Sequence, residues 1–215
     1  SPKSPLVHRD FSLPAPGAGE ALVEVLACGL CHTDLGFADG SVPTKHPLPL
    51  VLGHEVVGTV VATGPGAEAL ANTRVIVPAV LPCGTCAFCL AGRGNACPSQ
   101  KMPGNDIDGG FATHMLVPAG PLVPLTGLPD SVDVRAISVV ADAVTTAYQA
   151  VRRAGLEAGD AAFVVGSGGV GSFLVQIAHA VGARVVAVDV QAGRLEMAAA
   201  HGADATVNAA GRSPQ

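Results

Sequence analysis

The chain has 215 residues, 49% hydrophobic and 13% charged, well below the charged share of about 25% in an ordinary soluble domain, so it can bury a sizeable core and is not disordered. Aromatics make up 3%, with no Trp and one Tyr, and 27 Gly and 17 Pro point to a core of Val, Ala, Leu and Ile interrupted by many turns. The net charge is -5 and the 12 Lys and Arg are scattered, which excludes the basic footprint of a nucleic-acid or anionic-membrane binder and leaves a small molecule as the expected partner.

Along the chain, residues 1–10 lack the apolar stretch and cleavage site of a secretory signal, so a cytoplasmic protein is expected. Residues 21–26, 56–61 and 74–78 read as strands in a stretch from Glu20 to about Val123 that is rich in Gly and Pro turns, the pattern of a mostly antiparallel β domain. After Pro129 the texture changes: residues 133–153 look helical. From Ala161 onward strand, helix, strand, helix and strand alternate through 164–165, 170–181, 184–190, 194–201 and 206–208, a parallel βαβαβ unit. Residues 161–183 carry no charge and are long enough to span a bilayer, but Gly166, Gly168, Gly169 and Gly171 crowd one point, which suits a strand turning into a helix instead. The fold class is therefore α/β, with an antiparallel β domain over residues 1–140 and half of a doubly wound domain over residues 141–215.

Four of the six cysteines, Cys83, Cys86, Cys89 and Cys97, spell C-x2-C-x2-C-x7-C in one Pro- and Gly-rich loop. Thiolates so close in sequence converge on one tetrahedral zinc, which supplies order that the loop's few large apolar side chains cannot. Disulfides are the alternative in an oxidising compartment, and an iron-sulfur cluster uses other common spacings. A closed four-thiolate zinc has no open position and hence no chemistry.

Outside this loop, Cys31-His32-Thr33-Asp34 and Gly53-His54-Glu55 offer a thiolate, an imidazole and carboxylates. Read singly, Cys31 or His54 is more often a packed core residue, and Cys28 reads as packing. Their order along the chain carries more: Cys-x-x-Cys-His-Thr-Asp, then Gly-His-Glu-x-x-Gly, then the four-cysteine loop, then Gly-x-Gly-Gly-x-Gly resembles the zinc-dependent medium-chain alcohol dehydrogenases over nearly the whole chain.

The resemblance implies a GroES-like catalytic domain followed by a Rossmann domain, with one structural and one catalytic zinc. It gives Cys31 and His54 as two ligands of the catalytic zinc. The third ligand is commonly Cys, but the matching stretch, residues 139–148, has Asp142, whose carboxylate is an acceptable zinc ligand and whose alternative role is a helix cap. By the same resemblance Glu55 lies beside the metal or is an exchangeable fourth ligand, Thr33 takes the alcohol proton, and His32 faces the cofactor pyrophosphate. Many relatives pass that proton to a His three residues after the Thr; Gly36 stands there, leaving the relay to water or a cofactor ribose.

Residues 162–165 lead into Gly166-Ser-Gly168-Gly169-Val170-Gly171 and an apolar helix. Glycines at these places permit the tight turn and let backbone approach a pyrophosphate at the helix N-terminus. Asp189 ends the next strand about 20 residues on, where a carboxylate accepts both ribose hydroxyls and repels a 2'-phosphate, so NAD is expected over NADP. Arg194 is a candidate for contact with the adenosine ribose or an ordinary solvated helix charge.

Within the family, residues 103–114 and 139–149 resemble the 6-hydroxycyclohex-1-ene-1-carbonyl-CoA dehydrogenases of anaerobic aromatic degradation. That resemblance implies a cyclic hydroxyacyl-CoA oxidised to a ketone with its thioester intact, although no basic cluster announces a CoA pocket. A generic secondary-alcohol or polyol dehydrogenase and a non-catalytic zinc-binding module are the rivals. Family members are often dimers or tetramers, so a homo-oligomer is expected. Only the first half of a doubly wound fold precedes Gln215 and the family's opening strand is shortened at Ser1, so a longer protein or a fragment is expected, with both zincs held and poor turnover by these residues alone.

Overall fold

The computed structural model describes residues 5–129 and 131–211. The expected opening and close of the two domains, at residues 1–4 and 212–215, lie outside the described residues. The chain folds as two compact units, the first ending at Asp142 and the second beginning at Ala143.

The first unit contains β1 (Glu20–Gly29), α1 (His32–Asp39), β2 (Glu55–Thr63), β3 (Arg74–Val77), α2 (Ala87–Leu90), β4 (His114–Pro118) and β5 (Val123–Pro124). The five strands form one antiparallel sheet in the order β4-β1-β2-β3-β5. Period-two alternation sends Ala21 and Val23 of β1 inward, where both are fully buried, while β2 lies between β1 and β3 and buries both Val56 and Val57. Val23, Val56, Val60, Val75, Val77, Leu81, Met115 and Val117 form the core, which holds no large aromatic ring. The β1–β2 pairing shifts register twice and ends on Gly29 opposite Glu55. Because the strands are antiparallel, the chain leaving β1 and the chain entering β2 emerge at the same end of the sheet, which brings positions 31 and 54 together.

The second unit contains α3 (Ala143–Ala154), β6 (Ala161–Val165), α4 (Gly169–Ala180), β7 (Arg184–Asp189), α5 (Ala192–Ala200) and β8 (Ala205–Asn208). Its strands are parallel in the order β6-β7-β8, and α3 packs on α4. Val164, Val175, Ala178, Val185, Ala187, Leu195 and Ala198 make its core. The uncharged stretch 161–183 is thus split between a strand and a helix, and no helix among the described residues is long and apolar enough to cross a membrane.

One expected element differs. The helical stretch over 133–153 is two pieces, a 3-10 helix at Val134–Ala141 and the α-helix at Ala143–Ala154. Asp142 between them has φ -140 and ψ -69, outside the helical region, so the axis breaks there. The first piece is rich in Val and Ile, β-branched residues whose χ1 is restricted in a helix, whereas the second is rich in Ala.

Candidate functional site

Cys31, His54 and Asp142 come from three places: the start of α1, the residue before β2, and the break after the 3-10 helix. One sulfur, one ring nitrogen and one carboxylate oxygen of the three lie within 4.8 Å of one another. His54 is fully buried, while Cys31 and Asp142 are half-buried. The imidazole is held between two carboxylates, with Nε2 3.5 Å from Asp142 Oδ2 and Nδ1 3.2 Å from Asp34 Oδ1. Asp34 is itself buried; Oδ2 accepts the Cys31 backbone N–H at 3.0 Å and Oδ1 accepts the Gly53 N–H at 3.1 Å. Thr33 sits at the edge of the donor set, its Oγ1 3.6 Å from Cys31 Sγ.

The electrostatics of this cluster call for a cation. Burial alone would pull the His54 imidazolium down, but Asp142 and Asp34 outweigh it and carry its pKa up to about 10. Neither ring nitrogen makes a well-aligned hydrogen bond to these carboxylates; Asp34 holds Nδ1 by charge at 3.2 Å, and Nε2, 3.5 Å from Asp142, is the nitrogen left for a further partner. A divalent ion at Nε2, shared with Cys31 and Asp142, meets both needs, with Asp34 holding the opposite ring nitrogen, the usual arrangement of a metal-bound histidine.

Glu55 is also buried, with its carboxylate laid over Gly29: a Cβ built there would stand 2.1 Å from Glu55 Oε2. Its oxygens are not part of the converging donor set. His32 is exposed at the first position of α1.

The four loop cysteines converge separately. Their sulfurs also lie within 4.8 Å of one another, with Cys86 Sγ 3.5 Å from Cys89 Sγ and 3.8 Å from Cys97 Sγ, and Cys83 Sγ 3.9 Å from Cys89 Sγ. Backbone N–H groups of Thr85 and Cys86 pull the Cys83 thiol down to about 6, while desolvation and the neighbouring thiols push Cys89 up to about 12. Four thiolates cannot share this space without positive charge among them, and a four-coordinate zinc provides it. At 3.5 to 3.9 Å these sulfurs are not disulfide-bonded, and none of the six cysteines forms a disulfide.

In the second unit the glycine turn connects β6 to α4. Gly166 has φ +89 and donates to Val188 O, and a Cβ on Gly171 would stand 1.8 Å from Gly166 O, so only glycine allows this approach of helix to turn. No side chain caps the N-terminus of α4, where Gly168, Gly169 and Val170 lie. Asp189, buried at the end of β7, accepts the Ser167 N–H at 2.7 Å and the Gln191 N–H at 2.9 Å, and these bonds hold its carboxyl below the ordinary range. Arg194 Nη1 lies 3.7 Å from Asp189 Oδ2 and beside Gly168, so α5 delivers its guanidinium to the turn.

Sequence reasoning gave two residues no role. Asp34 stands out by no motif of its own, although its place three residues after Cys31, at the start of a helix, is that of a side chain reaching back to a cap residue. Ser167 is buried within the glycine turn with its hydroxyl unpartnered, and nothing in the local pattern separates it from a filler residue.

Residues 17–130 match the alcohol dehydrogenase GroES-like domain family and residues 169–214 the zinc-binding dehydrogenase family. An alcohol dehydrogenase of Geobacillus stearothermophilus is 38% identical over 96% of this chain and 61% of its own. An NAD-dependent alcohol dehydrogenase of Sulfolobus acidocaldarius is 35% identical over 93% of this chain and 60% of its own. The crystal structure of the alcohol dehydrogenase of the archaeon Aeropyrum pernix superposes with a TM-score of 0.88 at 33% identity, covering 98% of this chain and 63% of that one. The chain therefore spans about three fifths of the length of the curated relatives it matches.

Proposed function

The chain belongs to the zinc-containing medium-chain alcohol dehydrogenase family, and from that premise we propose that it oxidises a secondary alcohol to a ketone with NAD, using one zinc for chemistry and one for the fold. The carrying observation is the contrast between two donor sets: three groups, Cys31, His54 and Asp142, against four cysteines. Three protein donors are the complement of a catalytic zinc and four that of a structural one. When bound, the zinc supplies Lewis acidity toward a substrate oxygen, and the dinucleotide supplies the hydride acceptor.

The chain's own residues do the rest. Asp34 fixes the imidazole and the Cys31 backbone, so the donors are in place before substrate arrives. Thr33 Oγ1, beside the Cys31 sulfur, accepts the alcohol proton while its own hydroxyl proton passes to water or a cofactor ribose. Glu55, the next residue after His54, places a buried carboxyl beside the donor set. The turn from Gly166 to Gly171 offers backbone N–H groups to the pyrophosphate, while Asp189 and Arg194 face the adenosine ribose, the Asp189 carboxylate favouring NAD. On this reading residues 1–140 supply the catalytic domain and 141–215 the first half of the dinucleotide domain.

For the substrate, the resemblance of residues 103–114 and 139–149 to the cyclic acyl-CoA dehydrogenases puts a 6-hydroxycyclohexene-carbonyl-CoA first, ahead of simple secondary alcohols and polyols. The test is a panel of all three classes with NAD reduction followed by absorbance. Reduction with polyols but not with the cyclic thioester moves the substrate to the generic class. No reduction with any, together with one zinc per chain, moves the protein to a zinc module without chemistry. Sedimentation tests the dimer or tetramer expected by resemblance.

A further inference from the structure

We propose that the four-cysteine lobe positions the catalytic donors: its neck grips the two segments that carry His54 and Asp142, so that order in the lobe sets how tightly the Cys31–His54–Asp142 set holds its metal. The inference rests on the reading of both sets as metal sites and adds a coupling between them.

The neck is a closed pair. Leu81, two residues before Cys83, and Lys101, four after Cys97, exchange both backbone hydrogen bonds, Leu81 N–H to Lys101 O at 2.8 Å and Lys101 N–H to Leu81 O at 3.0 Å. Leu81 is buried in the core of the sheet, so the neck is anchored there. On the incoming side, two residues before Leu81, the Ala79 N–H donates to Ala141 O at 3.1 Å. Ala141 is bonded to Asp142, so this contact fixes the backbone from which the third donor projects.

On the outgoing side the chain runs from Lys101 into residues 102–111, which cradle the segment ahead of His54. Gly109 donates to Val51 O, Phe111 to Leu52 O and Gly110 to Gly53 O, at 2.8, 2.9 and 2.8 Å. In return the Val51 N–H donates to Asp108 Oδ1 at 2.9 Å. The approach is too close for any side chain, because a Cβ on Gly109 would meet Gly53 O at 2.2 Å and one on Gly104 would meet Gly53 N at 2.9 Å. Gly53 is thereby held at φ +98, with its N–H on Asp34 and His54 next in the chain. Both flanks of the lobe thus hydrogen-bond the residue directly preceding a catalytic donor, Ala141 before Asp142 and Gly53 before His54. The lobe itself has short helical turns and only Cys97 buried among its cysteines, so without a metal its order is left to local hydrogen bonds.

The test measures zinc, not turnover. Zinc content and competition with a chromophoric chelator are read on the full 215-residue chain and resolved into two binding steps. Cys89→Ser removes the four-thiolate step, and the remaining step is expected to weaken about 10- to 100-fold, the range for lost outer-shell support. Cys89→His, which keeps a four-donor zinc set, restores both steps. Asp108→Ala leaves the four thiolates in place and weakens only the three-donor step, and Asp108→Asn, which retains an acceptor for Val51, restores it. The proposal is overturned if the remaining step of folded Cys89→Ser has the affinity of the unaltered chain. If circular dichroism shows Cys89→Ser unfolded, unchanged zinc affinity in Asp108→Ala overturns it. A single zinc step in the unaltered chain overturns the underlying two-site reading instead.

Discussion

Asp34 and His54 are joined at 3.2 Å through Oδ1 and Nδ1, while the other oxygen of Asp34 accepts the Cys31 N–H at 3.0 Å, so one buried carboxylate fixes the orientation of two metal donors. Asp34→Ala therefore frees the imidazole to rotate and loosens the turn at Cys31. Zinc affinity at the three-donor site should fall about 10- to 100-fold in chelator competition, with the four-cysteine step unchanged. Equal affinity in the variant would show that the burial of His54 alone orients it.

By the family resemblance, Asp142 takes the place of a donor that is commonly a thiolate. Asp142→Ala leaves two protein ligands and should lower the zinc content from two ions per chain to one under mild dialysis, whereas Asp142→Cys should retain both. Elemental analysis decides. Two zincs in Asp142→Ala would mean that Asp142 is not a ligand.

Acid stability should depend on Asp189. Backbone N–H groups of Gln191 and Ser167 hold its carboxyl below the ordinary value, so its stabilising contribution is present above the unfolded pKa of about 3.9 and is lost as pH falls through the lower folded value. Asp189→Asn removes that titration. Urea midpoints measured from pH 6 downward should fall more gently for the variant than for the parent, and its preference for NADH over NADPH should narrow because the negative charge facing the ribose is gone. Parallel acid limbs would refute the role given to these two bonds.

Gly171→Ala places a methyl group 1.8 Å from Gly166 O. The helix must back away from the turn at a cost of about 1–3 kcal/mol in urea unfolding, and NADH binding followed by fluorescence should weaken with it. Gly193→Ala, in α5 where nothing lies within 4 Å, is the control expected to leave NADH binding unchanged and to hold or raise stability by up to about 1 kcal/mol.

Much of this arrangement was legible in the residues because chemistry and spacing coincide. Four cysteines in one short loop, a glycine string between an apolar strand and an apolar helix, and an acid closing the next strand each require local geometry only, and local geometry follows from local sequence. The three-donor site is different. Cys31 and His54 meet because antiparallel pairing ends at Gly29 and Glu55, and Asp142 joins them because a helix that looked continuous breaks at that residue. No periodicity announces such a break, and the family resemblance pointed to Asp142 where the pattern of the stretch did not. The role of Asp34 was hidden for another reason: its partners at 53 and 54 are distant in sequence, and only the folded chain shows that Oδ1 meets Gly53 and His54 while Oδ2 holds the Cys31 backbone.

At Leu81 and Lys101 the two ends of the cysteine lobe lie side by side. An excursion whose two ends lie side by side behaves as a cassette on its frame: it can be lengthened, shortened or exchanged without forcing the flanking strands apart, because closing a longer excursion costs little extra entropy. Protein engineers could graft other metal-binding or recognition loops at this junction, and the residues that decide whether such a graft is silent are Ala79, two residues before it, and Asp108, seven after.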